Sequence, residues 1–184
     1  MNLSPYPHEP QVLLRRLRWV LAAFLAGLVL SGLTAFPLQL ELDQLVAFRG
    51  LDAANAPAPT NGLDAWILTV RNGLRDMYAH YPWIAYGTDW LAFAHVIIAI
   101  FFLGAFIDPV RNVWILQAGL IACVLVIPLA FICGPLRHIP LGWRFIDGSF
   151  GVFGAIPLLY CLRLTRQLAT ARTPPTSINA GTPP

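Results

Sequence analysis

"VWILQAGLIACVLVIPLAFIC" (Val113–Cys133) contains no ionisable side chain apart from its two cysteines, and Gln117 is its one amide. A hydrocarbon layer about 30 Å thick is crossed by about 20 apolar residues of helix. This stretch has that length. Inside a bilayer the backbone must satisfy its own hydrogen bonds, which a helix does. The segment therefore reads as a transmembrane helix, and the chain as an all-α polytopic membrane protein.

Working outward, three further segments have similar character: Trp19–Leu40, Trp90–Ile107 with a start about a turn earlier, and Trp143–Leu164. Trp19, Trp90, Trp114 and Trp143 fall near span ends, as an interfacial aromatic belt requires. The whole chain agrees: 57% of its 184 residues are hydrophobic and 11% charged, against about a quarter charged in soluble domains. The expected organisation is a cytoplasmic segment 1–18, a four-helix membrane domain 19–164 with an outer loop 41–83, and a disordered cytoplasmic tail 165–184.

The direction of threading comes from arginine, the chain's basic residue throughout. Arg15, Arg16 and Arg18 precede the first span; Arg163, Arg166 and Arg172 close or follow the fourth. The long loop Glu41–Tyr81 carries three arginines against five acids. The positive-inside rule then places both termini in the cytoplasm. The Arg137/Arg144 loop runs mildly against the rule. The first span has the basic flank of a signal peptide, but its apolar run is long and lacks a clean cleavage site, so it is expected to remain as an anchor.

The net charge of +3 and the scatter of arginines along span borders argue against a nucleic-acid partner. The expected partners are the lipid bilayer and other membrane proteins. Cys123, Cys133 and Cys161 form no CxxC pair and read as small packing residues. Small residues recur at Ala23, Gly27, Ser31 and Ala35, at Ala118 and Ala122, and at Gly148, Gly151 and Gly154. Such rows let helix backbones approach closely in lipid, and all three are expected to pack within the chain. Pro128 and Pro157 should free the carbonyls of Val124 and Phe153. In "DPVRN" (108–112), Asp108 and Pro109 are read as the cap and first position of the third span.

Within the outer loop, "NAPAPTN" (55–61) reads as a linker, and residues 1–10 and 173–184 as disordered ends. Leu63, Trp66, Ile67, Val70, Leu74, Met77, Tyr78 and Tyr81 then recur at helical spacing. Asn61 with Asp64 three later resembles a capping box. An amphipathic interfacial helix over 63–81 is expected, with Trp66 and Leu74 buried and Asp64, Arg71 and Asp76 off the apolar face.

The polar residues gather at one end of the bundle. "CGPLRHIPLGWRFIDGSFG" (133–151) places Arg137 and His138 on a Pro/Gly turn, and Arg144 and Asp147 at i,i+3 on the start of the fourth span. Asp89 lies at the same depth on the second span, with His95 about 10 Å deeper. Asp89, His95, Arg137, His138, Arg144 and Asp147 form the candidate site. Two readings stand: a charge-paired knot of Arg144, Asp147, Asp89 and Arg137 that locks span ends, or a ligand site, since ionisable groups at membrane depth are often functional.

"SGLTAFPL" (31–38), "YPWIAYGTDWLAFAHVIIAI" (81–100), "DPVRN" and "PLRHIPLGWRFIDGSFGVFG" (135–154) resemble a family of small, functionally uncharacterised bacterial inner-membrane proteins with four spans. The resemblance covers most of the membrane domain and implies a location, not an activity.

No nucleophile–base set, nucleotide loop or metal motif emerges. The leading expectation is a non-catalytic accessory or interaction subunit without a cofactor. A redox anchor holding haem b or a quinone through His95 is the first alternative, and a small transporter the second.

Overall fold

The computed structural model describes residues 9–52 and 61–172, and every element in them is helical. In chain order these are α1 (Glu9–Ala35), α2 (Leu38–Phe48), α3 (Gly62–His80), α4 (Ala85–Ile107, preceded by a 3₁₀ turn Pro82–Ile84), α5 (Val113–Leu136) and α6 (Leu141–Arg172). Pro10–Ala35, Pro82–Ile107, Val113–Leu136 and Leu141–Ala171 are each long and apolar enough to cross a membrane. The expected linker up to Thr60 and most of the expected disordered ends lie outside the described residues. Residues 165–172, expected in the tail, continue α6.

The chain divides into two compact units, one of residues up to Leu25 together with Phe101 onward, the other Ala26–Ile100. In the first, α5 and α6 pair closely, and the glycine row on α6 explains how. A Cβ on Gly151 would sit 2.3 Å from the Cys123 carbonyl oxygen, one on Gly154 3.0 Å from Cys123 Sγ, and one on Gly148 3.3 Å from Phe131. The backbones touch where the side chain is missing, the close packing that helix association in lipid depends on. The companion row Ala118/Ala122 is exposed; Gly119 and Cys123, one residue along, face the neighbours instead. The helices run on through Pro128 and Pro157.

Leu17 and Leu21 of α1, Phe102 and Ala105 of α4, Leu116 of α5 and Leu158, Cys161, Leu164 and Leu168 of α6 form this unit's core. The Phe24 and Phe102 rings meet at a tilt of 55° with centroids 5.2 Å apart. The last carbonyls of α4 have no partner within their helix. Arg18 answers two of them, donating from Nε to Phe106 O (3.1 Å) and from Nη2 to Ile107 O (3.2 Å), while its guanidinium lies over the Phe106 ring. Asn112 donates to Gly104 O at 2.9 Å and Asp108 O at 3.0 Å. Asp108 therefore belongs to the turn that ends α4, accepting from Arg111 N, and α5 starts at Val113 after Asn112. This corrects the reading of Asp108–Pro109 as the helix start: four residues of turn intervene.

In the second unit Gly32 lets α1 approach α4, where a Cβ would meet His95 Cβ at 2.7 Å and Ala92 O at 2.9 Å. Gly27 has nothing within 4 Å of the corresponding position, and Ser31 is exposed. So the expected row Gly27/Ser31 is not used for packing here; the face one residue along is. The expected first span also ends early. Pro37 donates no N–H, α1 stops at Ala35, and a separate helix α2 begins at Leu38. α2 closes with a Schellman arrangement: Gly50 N–H bonds Ala47 O, Leu51 N–H bonds Val46 O, and Gly50 takes φ +65°.

α3 matches its sequence signature closely. Asn61 Oδ1 accepts from Asp64 N and its amide donates to Asp64 Oδ2, both at 2.7 Å. Ile67 is buried and Trp66 and Leu74 are half-buried. Asp64, expected off the apolar face, is buried because Arg49, just past α2, pairs with it at 2.5 Å. Arg71 likewise bonds Asp43 of α2 at 2.7 Å and reaches Asp52 at 3.8 Å, and Arg75 joins Asp43 at 3.1 Å. α2 and α3 are thus a hairpin latched by arginines and acids. A hydrogen bond from Arg71 first, then one from Arg75, holds Asp43 below the ordinary carboxylate range; Arg49 first and then Asn61 do the same for Asp64.

Candidate functional site

Of the six sequence-selected residues, Arg137, His138, Arg144 and Asp147 belong to the first unit, and Asp89 and His95 to the second.

The α5–α6 turn is tighter than the sequence suggested, because α5 carries Gly134 and Pro135 in its last turn and ends at Leu136. Residues 137–140 make the reversal. His138 takes φ 58°, a left-handed conformation costly for a residue with a Cβ. Its N–H bonds Pro135 O and the Ile139 N–H bonds Gly134 O, which ties the turn down. Its side chain is exposed.

Arg144 reaches back over this turn. Its Nε donates to Ile139 O at 2.7 Å, and its stem lies against Gly134, where a Cβ would come within 2.9 Å of Cγ and Cδ. The Arg144–Asp147 pair at the heart of the expected knot is not formed among the described residues. The i,i+3 spacing permitted it, but a turn carbonyl without a helical partner took the guanidinium first.

Asp147 is left half-buried without a hydrogen bond or ion pair among the described residues. It lines a hollow of about 380 Å³ together with Arg137, Val126, Ala130, Cys133 and Phe150. Arg137 is exposed, and its guanidinium is also unengaged among the described residues. An unpaired cation and an unpaired anion therefore share one groove of otherwise apolar walls.

Asp89 lines a different hollow, about 320 Å³, with Phe36, Tyr86, Trp90 and Phe93. Tyr86–Trp90 and Trp90–Phe93 meet edge to face at 5.9 Å. His95 Nδ1 lies 2.7 Å from Leu91 O. In the tautomer with the proton on Nδ1, that nitrogen donates to the carbonyl and Nε2 keeps a free lone pair. Among the described residues no three His, Cys, Asp or Glu side chains are placed to hold a metal ion.

Sequence reasoning missed Arg18 as the cap of α4 and the α2–α3 latch. The Arg18 contact is 88 residues distant in the chain and left no local signal. The helix α2 did leave one: Pro37 before and Gly50 after an eleven-residue stretch are start and stop signals.

Neither a protein-family model, nor a curated protein, nor a solved structure matches this chain.

Proposed function

We propose that this chain is a non-catalytic interaction subunit of a bacterial inner membrane, with both termini in the cytoplasm and the α2–α3 hairpin at the outer interface. The arginine distribution supports the orientation. The carrying observation for the function is the unused small face of α1. Gly32 serves the chain's own packing against α4, whereas Gly27 and Ser31 stay exposed at a spacing of four. In lipid, such a pair lets a second helix come close enough for van der Waals contact.

Gly27→Leu should leave the melting temperature in detergent unchanged, since among the described residues nothing lies within 4 Å of the position its Cβ would take. In native membranes a photo-crosslinker at Ser31 should yield a discrete protein adduct, and Gly27→Leu should abolish it. Adducts with lipid alone would overturn the reading.

One observation favours a second reading, a redox anchor. The Leu91 carbonyl fixes the His95 ring so that the Nε2 lone pair is available to a haem iron, or to accept a hydrogen bond from the hydroxyl of a reduced quinone. If that reading holds, the protein purified from membranes shows a Soret band that shifts on reduction, or carries extractable quinone, and His95→Ala removes it. A featureless visible spectrum with no extractable quinone excludes it.

A further inference from the structure

The groove between α5 and α6 has three properties at once. Among the described residues the Arg137 side chain stands at its turn end without a partner, Asp147 lines it without a partner, and the rest of its wall is apolar. Val126 and Arg137 are eleven residues apart along α5, so the groove extends roughly 16 Å from the polar turn into the membrane-spanning part of the helix. Asp147 stands nearly two turns into α6, and an unpaired carboxylate on a span is costly unless something answers it. We propose that this groove binds one phospholipid with a primary-amine headgroup, a phosphatidylethanolamine: Arg137 takes the phosphate, Asp147 the ammonium, and the wall from Val126 through Ala130 to Phe150 takes an acyl chain.

The chemistry selects this lipid over its neighbours. A guanidinium offers several donors to a phosphodiester, and a carboxylate accepts charge-assisted hydrogen bonds from a primary ammonium. A quaternary choline has no proton to donate and is recognised by cages of several aromatic faces, whereas Phe150 is the one aromatic lining this groove. An anionic glycerol headgroup satisfies Arg137 and leaves Asp147 facing uncompensated negative charge. Arg144 does not compete for Asp147, because it is held by the Ile139 carbonyl.

The full chain is reconstituted in vesicles of equal parts phosphatidylethanolamine, phosphatidylcholine and phosphatidylglycerol with matched acyl chains. It is then released under mild detergent, and retained lipid is counted by native mass spectrometry. The wild type should retain phosphatidylethanolamine over each of the others by about tenfold, the scale of one charge-assisted hydrogen bond. Asp147→Asn should erase the preference over phosphatidylcholine while lipid is still retained. Arg137→Gln should lower retention of all three, and Ala130→Trp, which fills the groove without touching a charge, should do the same. Melting curves confirm that each variant is folded; should a charge variant not fold, the wild-type ranking and Ala130→Trp decide the matter. Equal retention of the three lipids by the wild type, or an unchanged ranking in folded Asp147→Asn, overturns the proposal. Displacement of the bound lipid by millimolar glycerophosphoethanolamine overturns the lipid as occupant in favour of a soluble phosphoamine.

Discussion

Gly151→Leu is expected to part α5 from α6 and to remove cooperative melting of the first unit. The position a Cβ would take lies 2.3 Å from the Cys123 carbonyl oxygen and 2.7 Å from Val126 Cγ1. A side-chain end could rotate away; a carbonyl inside a helix cannot move without breaking its own hydrogen bond. Overpacking in well-packed interiors costs about 1–3 kcal/mol when side chains absorb it. Here the backbone must absorb it, so the loss lies at or above the upper end. Even Gly151→Ala should lower the melting temperature clearly. Tryptophan fluorescence during denaturant titration reads the outcome, with Gly27→Leu as the matched change on an open face. Wild-type melting of Gly151→Leu would show that the glycine row does not set the helix spacing.

Arg71→Ala is expected to undo the α2–α3 hairpin while leaving α3 helical. Arg71 is largely covered and serves both Asp43 and Asp52, so among the described residues its removal leaves Asp43 paired with Arg75 alone and Asp52 without an ion pair. Hydrogen exchange at pH 7 should then show α2 amides losing protection by about tenfold or more, as in a locally opened segment. α3 keeps its protection, because the Asn61 cap is independent of Arg71. Acid should produce the same opening in the wild type. Asp43 and Asp64 bind a proton less readily in the hairpin than in an unfolded chain. Their contribution is therefore complete above the unfolded carboxylate value of about 3.9 and is lost as pH falls through the lowered folded values. Equal α2 protection in Arg71→Ala and wild type, or an α2 whose protection does not decline as pH falls below the unfolded carboxylate value, would sink the latch.

Much of this molecule was legible without coordinates. Val113–Cys133 announces its span because lipid leaves an apolar segment no other way to satisfy its backbone. The Asn61–Asp64 cap and the α6 glycine row were readable for a similar reason. A cap acts within one turn, and a row at fixed helical spacing is already a face once the helix exists. What could not be read was the choice of partner. Gly27/Ser31 and Gly32 both offer small residues on α1, and nothing local says which meets α4; packing settled on Gly32. Asp64 looked solvent-facing by its helical phase and is buried because Arg49 folds across it. Arg144 had Asp147 at a favourable spacing and took the Ile139 carbonyl instead, which left Asp147 and Arg137 as open charges in one groove. Helix formation is settled by neighbours in the chain, through hydrogen bonds four residues long. The pairing of a long charged side chain is settled by whichever unsatisfied group the folded backbone brings within its reach, and that group exists only after the helices have packed.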